Sequence, residues 1–497
     1  MKVLHNVISG KLEPTSVNGD EKFKVYNPAT GEVISEFAST PVTEIERAVD
    51  AAVHAFGSWS RTTYKSRAQI FFNFRALCLT KYKDELVDTI VLENGKHRTD
   101  ATASLLKGLE TVEYAMSPNL GSGNIQEVST GISCQDRRDP VGVIVSICPF
   151  NFPAMVPMWT VPIAAACGNC VIIKPSEKVP FTITRMVEIM MEAGLPPGVV
   201  SVVHGGKSVV NSLITHPKIS TVTFVGSTPV AELVYNSATS HGKRALCLGG
   251  AKNHLVVMPD AHMEQSATDI LNSFAGSAGQ RCMAASVLVL CGQGSEQVLP
   301  ILVEKAKKIV PGQSESGQIG PVIDSAAVAR ICKYIDDSEK TYGAQILVDG
   351  RTWTARSSNR AGFWVGPTII EHNSLDDPAL VNEIFGPVIS VIRINHLDEA
   401  IERINKSQFG NAACIYTSSG PWADRFAKSV NVGMVGVNVG VPVPREPFSF
   451  GGTKRSKFGI GDITGDGLVE FCTIRRKITT KWVMSSGGDF VSRNFTG

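Results

Sequence analysis

An α/β chain built on two doubly wound parallel sheets, with a small β arm, is the fold class the sequence predicts. Three observations carry it. Strand and helix patterns alternate from residue 141 to 240, the alternation restarts after Lys252, and two polar strand-like stretches, 128–137 and 472–483, belong to neither run. Residues 141–148 form a β-branched run that ends in a loop, as a buried parallel strand does, and 170–174 form a second. Residues 181–193 have helical periodicity and stop at Gly194-Leu195-Pro196-Pro197-Gly198. A strand at 199–203, a Gly205-Gly206 turn and a helix at 208–215 follow. The unit closes with a strand at 221–225, the turn Gly226-Ser227-Thr228 and a helix from about 229 to 240.

In the second run, residues 255–258 read as a strand and 263–274 as a helix leading to Cys282. A strand at 286–290 and a helix at 296–308 come next, and further units continue to about Val443. The stretches 128–137 and 472–483 are placed to project, and they are predicted to pair between subunits as an added sheet edge, which implies an oligomer.

Composition narrows the class. Of 497 residues, 43% are hydrophobic and 19% charged, and the net charge is only +2, so no global field recruits nucleic acid or a membrane. Residues 140–173 carry no charge over a membrane-span length. Pro149, Pro153, Pro157 and Pro162 interrupt them, with Asn151 between, so a buried strand, an irregular loop and a core helix are expected instead. Eleven cysteines, an odd number without a secretory pattern in the first 14 residues, suit free thiols in a reducing, cytoplasmic setting. Cys167-Gly168-Asn169-Cys170 has CxxC spacing but lies in an apolar run without a second pair, so it reads as buried packing and no metal is expected.

Phe274-Ala275-Gly276-Ser277-Ala278-Gly279-Gln280-Arg281-Cys282 is the most informative stretch. Small residues admit backbone amides near the sulfur, and an adjacent cation favours thiolate, the attacking form; a structural cysteine in a tight turn is the alternative. Asn151, in Cys148-Pro149-Phe150-Asn151-Phe152-Pro153, either donates its amide to a developing oxyanion or caps the next helix. Lys174 and Glu177 follow a strand, where they suit a ribose, and the Glu177 carboxylate disfavours a 2′-phosphate, so NAD is preferred to NADP. Gly226 and Ser227 stand at a strand-to-helix junction suited to a pyrophosphate, although GxGxxG is absent. Glu383-Ile384-Phe385-Gly386-Pro387 sets a carboxylate and an aromatic beside a rigid turn that suits a nicotinamide ribose or a plain surface turn.

In this order and spacing, Asn151, Lys174 with Glu177, Gly226-Ser227-Thr228, Cys282 and Glu383-Ile384-Phe385-Gly386-Pro387 resemble the NAD(P)-dependent aldehyde dehydrogenases, over almost the whole chain from Tyr26-Asn27-Pro28-Ala29-Thr30-Gly31 onward. The resemblance implies an aldehyde dehydrogenase-like fold. Residues 1–122 and 141–251 would form a Rossmann-like NAD-binding domain, 252–450 the catalytic domain, and 123–140 with 466–497 an arm for a homodimer or homotetramer. It implies that Cys282 attacks the aldehyde, that Asn151 and the Cys282 N–H hold the oxyanion, and that Phe150, Lys174, Glu177, Gly226, Ser227, Glu383 and Phe385 hold NAD.

Hydrolytic members of that family carry a glutamate about 34 residues before the nucleophile, in Glu-Leu-Gly-Gly-Lys. Aligned on Lys252, that position is Leu248, one register earlier it is Cys247, and no Asp or Glu lies between Glu232 and Asp260. Water therefore lacks its local base, whereas coenzyme A is the better nucleophile and thioester-to-thiol exchange is nearly isoenergetic. Gly250-Ala251-Lys252-Asn253-His254, Gly279-Gln280-Arg281-Cys282-Met283-Ala284 and the segment from Pro149 to Pro157 resemble the CoA-acylating methylmalonate-semialdehyde dehydrogenases. That likeness implies that Arg281 grips a substrate carboxylate. A second arginine of that subgroup is Lys107 here, and the Arg445-Glu446 pair replaces apolar residues in the loop expected at the substrate mouth. Methylmalonate or malonate semialdehyde, giving propanoyl-CoA or acetyl-CoA with loss of CO2, is the expected substrate. A non-acylating dehydrogenase for another small acidic aldehyde, a cysteine hydrolase and a silent binding protein are the rivals.

Overall fold

The computed structural model describes residues 2–19, 21–117, 123–129, 131–358 and 360–482. Two large sheets dominate it. In the first, five parallel strands run in the order Val200–Val202, Cys170–Lys174, Val143–Ile147, Thr221–Val225, Arg244–Leu248. Strand order reverses between Val143–Ile147 and Thr221–Val225, so the loops following those two strands open a crevice where such sheets bind ligands. Antiparallel additions close both edges: His5–Ile8 with Lys11–Pro14 on one side and Lys457–Phe458 on the other.

The uncharged stretch resolves as expected into the strand Val143–Ile147, a loop and the helix Met155–Ala166, in which every residue is buried. The helix packs against Arg98–Ala115 so closely that a Cβ on Gly108 would sit 3.0 Å from Met155 Cα. Trp159 stacks on Phe450 with ring centroids 4.7 Å apart, and Cys167 and Cys170 are both buried as packing residues. All eleven cysteines are free.

The second sheet has six parallel strands in the order Thr368–Glu371, Val388–Ile394, Ala285–Cys291, Asn253–Val257, Ala412–Tyr416, Met434–Val437, with Gln345–Val348 antiparallel at one edge. The expected 296–308 helix starts with a 3-10 turn, Ser295–Gln297, before Val298–Lys307.

The polar stretch read as one strand, 128–137, is instead the end of one strand and most of another: Ile125–Ser129 and Ile132–Pro140 form a hairpin. Gly131, at φ +71°, supplies its turn. Thr473–Lys481 pairs antiparallel with the whole of Ile132–Pro140, making a three-stranded sheet tied by Arg475–Asp136 and Arg476–Asp139. The expected arm residues 483–497 lie outside the described residues. Among the described residues no helix is long and apolar enough to cross a membrane.

Candidate active site

The C-terminal edge of the first sheet faces the N-terminal edge of the second. Residues 148–152, 174–177 and 226–228 emerge from the first. Residues 251–253, 282–284, 383–387 and Asn411 lead into four neighbouring strands of the second. Cross-links join the edges. Asn151 Nδ2 donates to the Gln280 carbonyl at 3.0 Å, and Phe150 meets Phe385 edge-on with centroids 5.8 Å apart.

The loop that carries Cys282 is fastened from several sides. Its carbonyl accepts from Asn253 Nδ2 at 2.9 Å and Asn411 Nδ2 at 2.8 Å, and Gln280 Oε1 accepts from Ile323 N–H at 3.0 Å. Ser277 and Ala278 hold left-handed φ values of +51° and +53°, a conformation costing on the order of 1 kcal/mol for each non-glycine residue. Asp100 Oδ2 accepts from Ser277 N–H at 2.9 Å and supports that turn. The small residues serve close approaches beyond the sulfur itself: a Cβ on Gly276 would lie 2.7 Å from the Arg281 guanidinium, and one on Gly279 2.0 Å from the Gly386 oxygen. Gly279 thus lets the Glu383 loop lie directly on the loop that carries Cys282.

The sulfur is not the low-pKa thiolate its arginine neighbour led us to expect. Burial pushes the Cys282 thiol up to about 12, and the nearby Glu383 carboxylate adds to the rise. The N–H groups of Cys282 and Met283 and the Arg281 charge oppose it more weakly. Arg281 is directed elsewhere: its Nη2 meets Asp100 Oδ1 at 2.9 Å, Nε reaches Ser277 Oγ at 3.3 Å and Nη1 the Asn272 carbonyl at 3.1 Å. A guanidinium already neutralised by a carboxylate favours thiolate less than an unpaired one.

Glu383 lines the same cavity as Cys282, with Ala251, Lys252, Asn253, Gly279 and Phe385. Its Oε1 accepts from Ala251 N–H at 2.9 Å. Burial lifts its carboxyl to about 7 against the pull of that N–H, Lys252 and Arg330. Burial also presses the Lys252 ammonium down to about 7, while the Glu383 and Asp377 carboxylates support it. Leu248 and Cys247, the two residues expected to stand where a hydrolytic base would, are buried in the strand Arg244–Leu248.

Of the expected cofactor residues, Phe150, Lys174, Glu177, Gly226 and Ser227 line the first-sheet edge, while Glu383 and Phe385 come from the second. Lys174 is buried, donates to the Gly205 carbonyl at 3.2 Å and stands 3.8 Å from Glu177. Ser227 precedes the helix Thr228–Ser240 without capping it by its hydroxyl, which leaves first-turn N–H groups to face an anion. Phe385 holds φ +54° against Phe150. Lys107 pairs with Glu110 at 2.7 Å on the helix Arg98–Ala115, and Thr111 of that helix donates to Glu446, in the loop expected at the substrate mouth, at 3.3 Å. Val441 and Val443 pack in the same apolar cluster as Cys282.

Asp100, Lys96, Asn253 and Asn411 escaped the sequence reading. Lys96 is buried, donates to the Asn151 carbonyl and lies 4.5 Å from the Phe152 ring centroid, fixing the loop that presents the Asn151 amide. Asn253 lay within a motif already singled out, Gly250-Ala251-Lys252-Asn253-His254; nothing in the sequence marked the other three.

A model of the aldehyde dehydrogenase family matches residues 15–477. Malonate-semialdehyde dehydrogenase 2 of Geobacillus kaustophilus (strain HTA426) is 43% identical over 488 residues, 97% of this chain and 99% of the relative. The crystal structure of methylmalonate-semialdehyde dehydrogenase from Oceanimonas doudoroffii superposes with a TM-score of 0.94 at 38% identity, covering 98% of this chain and 99% of the other. The NAD+ complex of an aldehyde dehydrogenase from Bacillus cereus superposes with a TM-score of 0.89 at 26% identity, covering 97% of both chains.

Proposed function

Because the chain belongs to the aldehyde dehydrogenase family, we propose that it oxidises a small carboxylated aldehyde with NAD and passes the acyl group from Cys282 to coenzyme A. Malonate semialdehyde and methylmalonate semialdehyde are the substrates the relatives' names suggest. The observation that carries acyl transfer is that both positions the family resemblance aligns with the hydrolytic base, Leu248 and Cys247, are buried side chains of a parallel strand and neither is a carboxylate.

The first-sheet edge fits NAD by its donor set. The uncapped helix start at Ser227 and the adjacent Gly226 suit the pyrophosphate, and Lys174 with Glu177 the adenosine ribose. Glu383 and Phe385 suit the nicotinamide end, with Phe150 buttressing Phe385. When bound there, NAD supplies the hydride acceptor. Cys282 gives up its thiol proton to solvent, and its Sγ attacks the aldehyde carbon. The oxyanion is met by the Cys282 N–H and by the second N–H of the Asn151 amide, whose other hydrogen is held by Gln280. Loss of hydride leaves a thioester on Cys282. From malonate semialdehyde the β-carboxylate departs as CO2, the α-carbon it leaves takes a proton from solvent and acetyl-CoA forms; from methylmalonate semialdehyde the product is propanoyl-CoA.

Arg281 and Lys107 are the cations we assign to the substrate carboxylate, each exchanging a resident partner, Asp100 or Glu110. We assign residues 1–122 and 141–251 to cofactor binding, 252–450 to catalysis, and the three-stranded sheet to pairing in a homodimer or homotetramer. Its edge strand exposes Ile125 and Val128, which supports that use. Eleven free thiols fit a cytoplasmic enzyme.

Purified protein with NAD and malonate semialdehyde is expected to turn over repeatedly only when coenzyme A is present, giving acetyl-CoA. Sustained turnover without it, at a matching rate, would overturn acyl transfer. One observation favours that second reading: Glu383 shares the cavity with Cys282 and is a candidate base for water, so free acid as product identifies the non-acylating enzyme.

A further inference from the structure

We propose that Glu383 is the proton acceptor for the incoming thiol when the acyl group leaves Cys282, a role that rests on the acyl-transfer reading and is separate from holding a ribose. Geometry carries it. Glu383 and Cys282 wall one cavity, although they lie 101 positions apart in the chain. The Glu383 carboxylate is anchored through Oε1 to Ala251 N–H, while Oε2 makes no hydrogen bond among the described residues. A Cβ on Gly250 would lie 2.5 Å from Oε2, so the carboxylate rests against the chain just after Leu248. A base from the other sheet thus reaches the neighbourhood that the hydrolytic base has left.

The groups facing Glu383 allow it to trade a proton. Lys252 and Arg330 favour its charged form, burial opposes them, and the result near 7 leaves base and acid both populated at neutral pH. A thiol ionises near 8.5, within about 2 pH units of such a base, whereas water, near 15.7, lies about 9 away. This carboxylate is therefore far better matched to coenzyme A than to water.

The proton and electron count closes. Glu383 removes the S–H proton as the acceptor sulfur bonds to the thioester carbon. Collapse of the oxyanion breaks the bond to Cys282 Sγ, and the departing thiolate takes the proton from Glu383. Acyl-enzyme and thiol become acyl-thiol and free Cys282, with no redox change. A Cys282 thiol held up to about 12 makes that final protonation strongly favourable.

The test omits NAD, so a ribose role cannot contribute. Full-length protein is acetylated on Cys282 with p-nitrophenyl acetate, freed of reagent and mixed with coenzyme A, and deacetylation is followed by intact mass and acetyl-CoA formation. The wild-type rate is expected to rise with a midpoint near pH 7 and level off by pH 8. Glu383→Gln is expected to be at least about 30-fold slower, and the deficit to vanish with a thiophenol acceptor, which is already largely ionised at pH 7.5. Glu383→Gln within about threefold of wild type overturns the proposal. So does a wild-type rate still climbing through pH 8.5 with the acceptor's own ionisation, which decides the matter if the variant fails to fold. Wild-type acetyl-enzyme that coenzyme A leaves untouched would instead sink the acyl-transfer reading itself.

Discussion

Replacing Gly279 by alanine tests whether the contact between the nucleophile loop and the Glu383 loop sets activity. Two costs separate cleanly. Gly279 has φ +68°, where an alanine costs about 1 kcal/mol. Its new Cβ would lie 2.0 Å from the Gly386 oxygen and 2.2 Å from that carbonyl carbon, so backbone must retreat by roughly 1 Å to reach the closest separation real Cβ atoms show. A displacement of that size beside reacting groups lowers rate on the order of a hundredfold. Gly343 is the control: its φ is +67° and nothing lies within 4 Å of its Cβ position. Gly343→Ala is expected to lose about 1 kcal/mol of stability with unchanged kinetics. Gly279→Ala should lose more stability, on the order of 3 kcal/mol, with kcat/KM down about a hundredfold. Denaturant titration and steady-state assays of both variants measure the two terms. Gly279→Ala with kinetics within threefold of Gly343→Ala would refute the claim that this contact aligns the site.

Asn253→Ala and Asn411→Ala each remove one donor from the Cys282 carbonyl, and each is expected to lower kcat about tenfold with little change in KM for NAD; equal loss of NAD affinity would argue against a role confined to the nucleophile loop. Asp100→Asn keeps an acceptor for Ser277 N–H but removes the charge facing Arg281, so KM for malonate semialdehyde should fall about fivefold and that for propanal should not move. Parallel shifts in both would detach Arg281 from substrate recognition. Burial presses His204 and His254 down to about 3, so both fold neutral while the unfolded chain protonates them below about 6.5. Their contribution is complete above pH 6.5 and is lost as pH falls toward 3. Unfolding midpoints should drop between pH 7 and 5, and His204→Gln should flatten that slope; an unchanged slope would contradict it.

The strands were legible because parallel strands buried on both faces read as unbroken apolar runs. Cys170–Lys174 and Thr221–Val225 end at the residues expected, and the loops carrying Asn151 and Ser227 fall at the crevice that strand order opens. Hidden were features that depend on pairing across the chain. Gly131 is one glycine among 45, so nothing local announced that it folds residues 125–140 into a hairpin. The position of Cys282 at the N-terminal edge of its sheet runs against the rule that places ligands at C-terminal edges. Only the assembled sheets show that Lys174, Glu177 and Ser227 obey it while Cys282 and Glu383 do not. The Cys282 thiol is raised chiefly by burial, which depends on the assembled fold, and Arg281, adjacent in sequence, turns its guanidinium to Asp100, 181 residues away. Adjacency specified the charge and left its direction open.

On the proposed assignment of Arg281 to the substrate carboxylate, that turned guanidinium also bears on substrate choice. A bare arginine in an apolar cavity would attract any anion and would raise the cost of admitting a neutral aldehyde. Here Asp100 holds the fork while Ser277 Oγ and the Asn272 carbonyl take its other donors, so Arg281 keeps its orientation whichever carboxylate it faces. A carboxylated aldehyde must then compete with Asp100 for a donor already aimed, and little ordering entropy is lost on exchange. Asp100 is itself held by Ser277 N–H, in the turn that leads to Cys282. Displacing its charge from Arg281 would therefore be felt in the loop that carries the nucleophile, which makes substrate charge and thiol position two readings of one contact. Asp100→Asn decides between that coupling and simple neutralisation, because coupling also predicts a changed rate of Cys282 alkylation in the absence of any substrate.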